Sequence, residues 1–377
     1  MEAFSFLWNY GVMFLVVLTV LVFVHELGHY LAARRCGIRV DVFSIGFGPE
    51  IWGFNDSRGT RWKFSAIPLG GYVKMFGDSD AASRPDGSVR EMSDEERAVS
   101  FHHKRLGQRA FVVAAGPAAN FAFAIVALAL LFTLYGQPYT PPVVNRVYPD
   151  GAAASAGMEA GDRIVEIDGS GIERFEQIQQ TIYLNPGVAL NFVVERDGRR
   201  IPLTVTPRAV QVQDRFGNVH TIGRLGVERG SDEYRRRDPL TGLWAAARET
   251  WNLCTGTLAA VGQMISGTRG TEELGGPLRI AQMSGQVAQT GFVAMVWFMA
   301  ILSVNLGLIN LFPIPMLDGG HLLFYAIEAA RGRPLGERAQ EYGFRLGLAL
   351  VLTLMVFSTW NDLVHLRVVE FFVGLIS

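Results

Sequence analysis

Three ionisable side chains, His25, Glu26 and His29, stand in VFVHELGHYLAARR, residues 22–35, at the end of an otherwise uninterrupted apolar run. On a helix the four-residue spacing projects both imidazoles from one face, where they can bind one metal ion. Glu26, beside them, is placed to take a proton from a water at that metal. This is the HExxH pattern of zinc-assisted hydrolysis. Each ionisable group in a membrane helix costs a few kcal/mol to insert, which favours a functional role over three groups that merely reach for the interface.

A catalytic zinc takes three protein ligands and keeps a fourth position open. A third candidate lies far along the chain, in SVNLGLINLFPIPMLDGGHLLFYAIE, residues 303–328. There Asp318 follows Pro313 and Pro315, which break an apolar helix, and precedes a Gly pair that lets the chain turn into the next one. The same aspartate also suits an ordinary helix start. His102 and His103 are adjacent, so they point apart and make a poor metal pair, and His321 follows the Gly pair closely enough to lie near the metal. Cys36 and Cys254 are too far apart in sequence for a disulfide framework or a Cys-rich zinc site. The RRR run at 235–237 reads as solvated or in contact with lipid headgroups.

The elements that must hold these groups are those of a membrane protein. The chain of 377 residues is 49% hydrophobic and 18% charged, where an ordinary soluble protein has about a quarter of its residues charged. Its net charge of -1 gives no basic field for nucleic acid. Four stretches, roughly 6–33, 110–136, 291–315 and 343–361, are long and apolar enough to cross a bilayer. The first lacks the basic start and the cleavage pattern of a signal peptide and is expected to be retained. Arg34, Arg35, Arg39 and the Lys and Arg residues that follow mark that side as cytoplasmic, which puts 137–290 outside and the Arg-rich loop 331–338 back inside.

The outer segment carries its own domain. PPVVNRVYPDGAAASAGMEAGDRIVEIDG, 141–169, gives a strand, a helical turn and a second strand ending in Asp-Gly. FEQIQQTIYLN reads as a helix and VALNFVVERDGRRIPLTVTPR as a hairpin. The pattern resembles a PDZ domain, in which a Gly-rich loop before a strand edge captures a peptide by strand addition. IGRLGVE, 222–228, is similar to that loop, which makes Gly223, Leu225 and Gly226 the expected peptide-binding residues. Within 43–77 two Gly-studded segments alternate like strands, and 78–100 reads as a flexible polar loop. Residues 239–267 have helical periodicity with Trp244, Trp251, Leu253 and Leu258. They are expected to form an interfacial amphipathic helix, or else a helix packed on the PDZ domain.

HELGH at 25–29, AAGPAANF at 114–121, NLFPIPMLDGG at 310–320 and the PDZ segment between them together resemble the site-2 protease family of intramembrane zinc metalloproteases, in particular the bacterial regulators of sigma-E proteases. Well-known members carry two tandem PDZ domains, whereas 137–238 has room for one. The resemblance implies a fold of four transmembrane helices with a membrane-associated β-loop and an inserted α/β PDZ domain. The expected boundaries are 1–136, 137–238, 239–290 and 291–377.

It further implies that His25, His29 and Asp318 bind one Zn2+ with Glu26 as general base. Asn305 and Asn310 would contact the substrate backbone or steady the transition state, and their alternative is hydrogen bonding between helices. Gly70 and Gly71 would belong to a β-loop that holds unwound substrate as an added strand. Substrates would be single-span membrane proteins already shortened on the outer side, such as anti-sigma factors, and remnant signal peptides. The setting would be a bacterial inner membrane, with the PDZ domain periplasmic and the active site toward the cytoplasm. Two other classes stay open: a proteolytically silent PDZ scaffold with a structural metal, which an intact Glu26 disfavours, and an ion-coupled transporter, which the absence of an internal repeat disfavours.

Overall fold

The structure, a computed structural model, describes residues 10–78, 92–213, 219–231, 233–267 and 275–365. The chain forms two compact units. One runs through Leu131 and resumes at Pro239, and the other is Phe132–Asp238.

In the first unit, α1 (Val12–Arg35) is apolar until its functional turn and ends on Arg34 and Arg35, cations that suit the negative end of a helix. Two antiparallel strands follow, β1 (Val40–Asn55) and β2 (Arg61–Met75). Asp56 closes their turn. Its carboxylate accepts the backbone N–H groups of Arg58 (2.8 Å) and Thr60 (2.9 Å), Tyr30 Oη–H (2.9 Å) and Trp62 Nε1–H (3.1 Å). Bulges interrupt the register and bring Phe47 opposite Ile67 and Glu50 opposite Ser65. The half of the hairpin near α1 is core: Val40, Phe43, Ile45, Val73 and Met75 pack with Tyr30 and Ala33 of that helix. The far half exposes Ile51, Trp52, Phe54 and Phe64.

A short helix, α2 (Asp94–Val99), departs from the loop expected over 78–100. Ser93 Oγ accepts the Glu96 N–H while the Glu96 carboxylate accepts the Ser93 N–H, a capping box that SDEE already spells. Residues 79–91 lie outside the described residues. The long α3 (Leu106–Leu134) carries Pro117 in its interior.

The second unit opens with β3 (Gln137–Tyr139), β4 (Val144–Val147), α4 (Ala152–Ser155), β5 (Arg163–Ile167), β6 (Ser170–Gly171) and α5 (Phe175–Leu184). It continues with β7 (Leu190–Arg196), β8 (Arg199–Val205), β9 (Arg208–Gln213), β10 (Val219–Arg224), β11 (Val227–Arg229) and β12 (Glu233–Arg235). A four-stranded sheet, β6-β5-β7-β8, is joined by the pairs β9–β10, β4–β11 and β3–β12. The last two pairings bring the start and end of the unit side by side, as an insertion between helices requires. Ile164, Ile178, Phe192, Val194 and Val205 centre its core. At Asp197-Gly198 both residues have positive φ, the geometry that tight β-hairpins favour.

Asp162 and Arg196 lock this unit. Arg196 donates from Nε and Nη2 to the two Asp162 oxygens, each at 2.7 Å, and Asp162 is fully buried. Burial pushes the Asp162 carboxyl up, but the Arg196 guanidinium and the Glu159 N–H outweigh it and hold it below its ordinary 3.8. A depressed carboxyl stabilises the fold above its unfolded value, and that contribution is lost as pH falls through the folded one. Unfolding of this unit, followed by tyrosine fluorescence, is therefore expected to be pH-independent near neutrality and to weaken below about pH 4. Arg196→Met, which removes both hydrogen bonds to the Asp162 carboxylate, should lower the stability of this unit at neutral pH.

The first unit resumes with α6 (Pro239–Ile265), α7 (Pro277–Thr290), α8 (Phe292–Asn310), α9 (Asp318–Arg331) and α10 (Glu337–His365). Helix α6 buries Gly242, Ala246 and Thr250 and exposes Trp244 and Trp251. It packs on α8. Asp362 of α10 caps α7 by accepting the N–H groups of Gly276 (2.8 Å) and Arg279 (3.0 Å). Among the described residues, four helices are long and apolar enough to cross a membrane: α1, α3, α8 and α10. The third stops at Asn310, short of the expected 315, because Leu311–Leu317 turns back before α9.

Candidate metal centre and active site

Helix α1 places His25 and His29 one turn apart, and both are buried. Asp318 reaches them as the first residue of α9. His25 Nε2 lies 3.2 Å from Asp318 Oδ2, His29 Nε2 lies 3.5 Å from the same oxygen, and the two Nε2 atoms are 3.2 Å apart. A tetrahedral ion with bonds of about 2.0–2.1 Å needs ligand atoms about 3.3 Å from one another. The triangle therefore has the edges of a zinc site with one vertex left over. Asp318 Oδ2 is buried and has no hydrogen-bond partner, as a ligand oxygen would be without its ion.

The histidine tautomers fit as well. His29 Nδ1–H donates to the Val112 carbonyl of α3 at 2.9 Å, which leaves Nε2 as a lone pair for metal. Behind His25 the Asn120 side-chain amide sits 3.0 Å from Nδ1, and Asn120 Oδ1 is buried without a partner. Turning that amide over presents Oδ1 to an Nδ1–H and frees His25 Nε2 in the same way. Gly116 makes the approach of α3 possible, because a methyl group there would overlap the His29 ring.

Asp318 is positioned by the turn Leu311–Leu317. Met316 has φ 91, a conformation that costs a non-glycine residue on the order of 1–3 kcal/mol and is held only by its surroundings. A Cβ at Gly319 or Gly320 would overlap the carbonyls of Leu311, Phe312 or Ile314. The Gly pair is thus needed so that the first turn of α9 can sit directly on that loop.

The triad opens on a cavity of about 610 Å³ whose lining includes His25, Glu26, His29, Gly70, Gly71, Asn310, Asp318 and His321. Gly71 lies against the Glu26 and Val22 side chains. His321 lines the same cavity, and burial pushes its imidazole below its ordinary value. Asn305 is elsewhere: its Oδ1 accepts Thr257 Oγ1–H of α6 at 3.0 Å, a helix-to-helix bond. His102 pairs with Asp78 at 2.9 Å, and the His25, His29, Asp318 group stands alone as a metal-binding cluster among the described residues.

In the second unit, Gly223 is the last but one residue of β10, the Leu225 side chain is buried in the core, and Gly226 (φ +79) abuts Gly151. The Leu225 and Gly226 carbonyls accept the N–H groups of Ala153 and Tyr148. That loop is fastened through its carbonyls and its one large side chain.

Sequence reasoning missed Asn120 and Val112. AAGPAANF was noticed as a motif, but the contact runs between helices, and the Val112 carbonyl carries no residue-type signal at all.

The family model described as Peptidase family M50 matches residues 13–354. A protein of Agrobacterium fabrum named “putative zinc metalloprotease” is 50% identical, over 96% of this chain and 98% of its own length. Regulator of sigma-E protease RseP of Escherichia coli is 34% identical over 95% of this chain and 99% of its own. That alignment runs over 459 residues, longer than this chain, so the relative contains segments with no counterpart here. Among solved structures, the PDZ domain of an SdrC-like protein of Listeria monocytogenes matches 24% of this chain and 88% of its own, at 22% identity and a TM-score of 0.19, too low to carry an argument. A family match spanning nearly the whole chain settles its membership: the chain belongs to peptidase family M50, the site-2 proteases, and is a zinc metalloprotease.

Proposed function

We propose that the protein cleaves single-span membrane proteins within or at the edge of the membrane, after another protease has shortened them on the outer side. The observation that carries this reading is a zinc-sized ligand triangle and a glutamate on one cavity, built among apolar, membrane-length helices. His25, His29 and Asp318 hold the zinc. When bound, it supplies a Lewis acid that polarises the scissile carbonyl and makes water a nucleophile near neutral pH. Glu26 takes the proton of the attacking water and passes it to the leaving amine. A helical peptide bond is shielded by its own hydrogen bonds, so the substrate must be unwound and its freed groups satisfied again by protein. The Gly70–Gly71 stretch of β2, beside Glu26, offers a strand edge for that purpose, and Asn310 reaches the same space from the end of α8.

The remaining parts follow from the resemblance to RseP and from the charge pattern. The protein resides in a bacterial inner membrane with the triad toward the cytoplasm. The Phe132–Asp238 unit, a PDZ domain on the periplasmic side, senses a trimmed substrate end through the Gly223–Gly226 turn. Anti-sigma factors and remnant signal peptides fit the substrate description. The test is cleavage of a tagged, externally truncated single-span protein by the purified enzyme in detergent, beside its untruncated parent and a soluble protein. A cut in or next to the span, favoured by truncation and stopped by a chelator, is expected. Equal cleavage of the soluble protein, or none of any span with zinc bound, would overturn the reading.

Asn120 serves the same site by holding His25. Asn120→Leu is expected to weaken zinc retention 10- to 100-fold in chelator competition, about what loss of a ligand's supporting hydrogen bond costs, whereas Asn120→Asp, still an acceptor, keeps it.

A further inference from the structure

We propose that a basic cavity at the root of the Phe132–Asp238 unit binds the phosphate of an anionic phospholipid headgroup. The cavity, of about 390 Å³, is lined by Arg163, Arg174, Arg235 and Arg237, with Tyr139 and a single acid, Glu173. The four arginines come from the start of β5, the residue before α5, and the end of β12 and beyond, so the fold gathers them from distant parts of the sequence. None is in an ion pair among the described residues. Arg237 Nε is buried and has no hydrogen-bond partner. Guanidinium groups converging on one hollow, with a donor left unmet, match the forked acceptor geometry of a phosphate.

The cavity is tethered to the end of a membrane-length helix, which favours a lipid as the source of the phosphate. The Arg237 N–H donates to the carbonyl of Phe132, in the last turn of membrane-length α3, at 3.0 Å. Arg235 pairs with Gln137, which follows that helix so closely that the intervening chain spans no more than about 10 Å. The strands that carry Arg235 and Arg237 are therefore tied by a short stretch of chain to the end of α3, and the end of a helix that crosses a bilayer lies among its headgroups. Tyr135 and Tyr234, 49% and 62% exposed, flank the same strands, and tyrosine is enriched at that depth. The RRR run thus contributes two members to a built site, and Arg163 and Arg174 complete it.

The inference rests on the membrane residence proposed above, and its test separates the two. The zinc-loaded full-length protein in a mild detergent is titrated with a short-chain phosphatidylglycerol, a short-chain phosphatidylcholine, inorganic phosphate, and a peptide with a free C-terminal carboxylate. Saturable binding of phosphatidylglycerol above the other three is expected, weakened roughly fivefold by each of Arg174→Gln and Arg235→Gln. Arg199→Gln and Arg200→Gln, exposed arginines on β8, should leave it unchanged. Unaltered thermal unfolding of this unit shows that the variants fold, and Arg174→Lys, which keeps the charge, should recover part of the binding. Binding indifferent to the cavity arginines, inorganic phosphate binding as well as the lipid, or a preference for the peptide would each overturn the proposal. Failure of the protein to stay in reconstituted vesicles would instead overturn membrane residence itself.

Discussion

Glu26→Gln is expected to lower proteolysis by about 100- to 10,000-fold while zinc stays bound one per chain. The amide has nearly the size of the carboxylate it replaces, so Gly71, which lies against this side chain, loses no contact. What is lost is the ability to accept a proton from water and return it to the leaving amine. Because Glu26 is not part of the His25, His29, Asp318 triangle, metal content measured on the same preparation separates chemistry from assembly. Undiminished cleavage would remove Glu26 as the base. Cleavage and zinc lost together would make it a structural member of the centre.

Asp318→Asn is expected to reduce zinc affinity by more than the 10- to 100-fold typical of a supporting residue, and to abolish proteolysis with it. The substitution preserves volume and the start of α9 but replaces an anionic ligand with a neutral amide, so two imidazoles must hold the ion almost alone. The fold should survive, because α9 is seated by the close packing of Gly319 and Gly320 on the 311–315 backbone rather than by the metal. Chelator competition reads the affinity, and thermal unfolding in excess chelator reads the scaffold. Full zinc occupancy in this variant would mean that the third ligand is another residue.

How legible this site was depends on the range of the physics involved. The pairing of His25 with His29 is set by helical periodicity within one segment, so it shows in the sequence. Asp318 was readable because Pro313, Pro315 and the Gly pair announce a turn at the end of an apolar run. The strands and tight turns of the Phe132–Asp238 unit were readable too, since alternation and Asp-Gly pairs are local signals. What stayed hidden depends on contacts between elements. Asn305 and Asn310 look alike in sequence, yet one bonds Thr257 and the other lines the cavity. The left-handed Met316 carries no mark of its conformation, and the bulged register of β1 and β2 is set between the two strands rather than within either. The α2 helix is a different case: SDEE spells its capping box, but the polar composition around it offers no apolar face to mark a helix.

The distance along the chain between the ligands also has a meaning in time. The two histidines belong to the first apolar helix and the aspartate to the start of a helix near the far end. At about 5–20 residues per second, the roughly 290 residues between them take on the order of 15–60 s to synthesise. Throughout that interval the growing polypeptide holds two ligands out of three. Any chain released before residue 318 is inert by construction, so peptidase activity arises only once the last part of the bundle has been made and folded back onto the first.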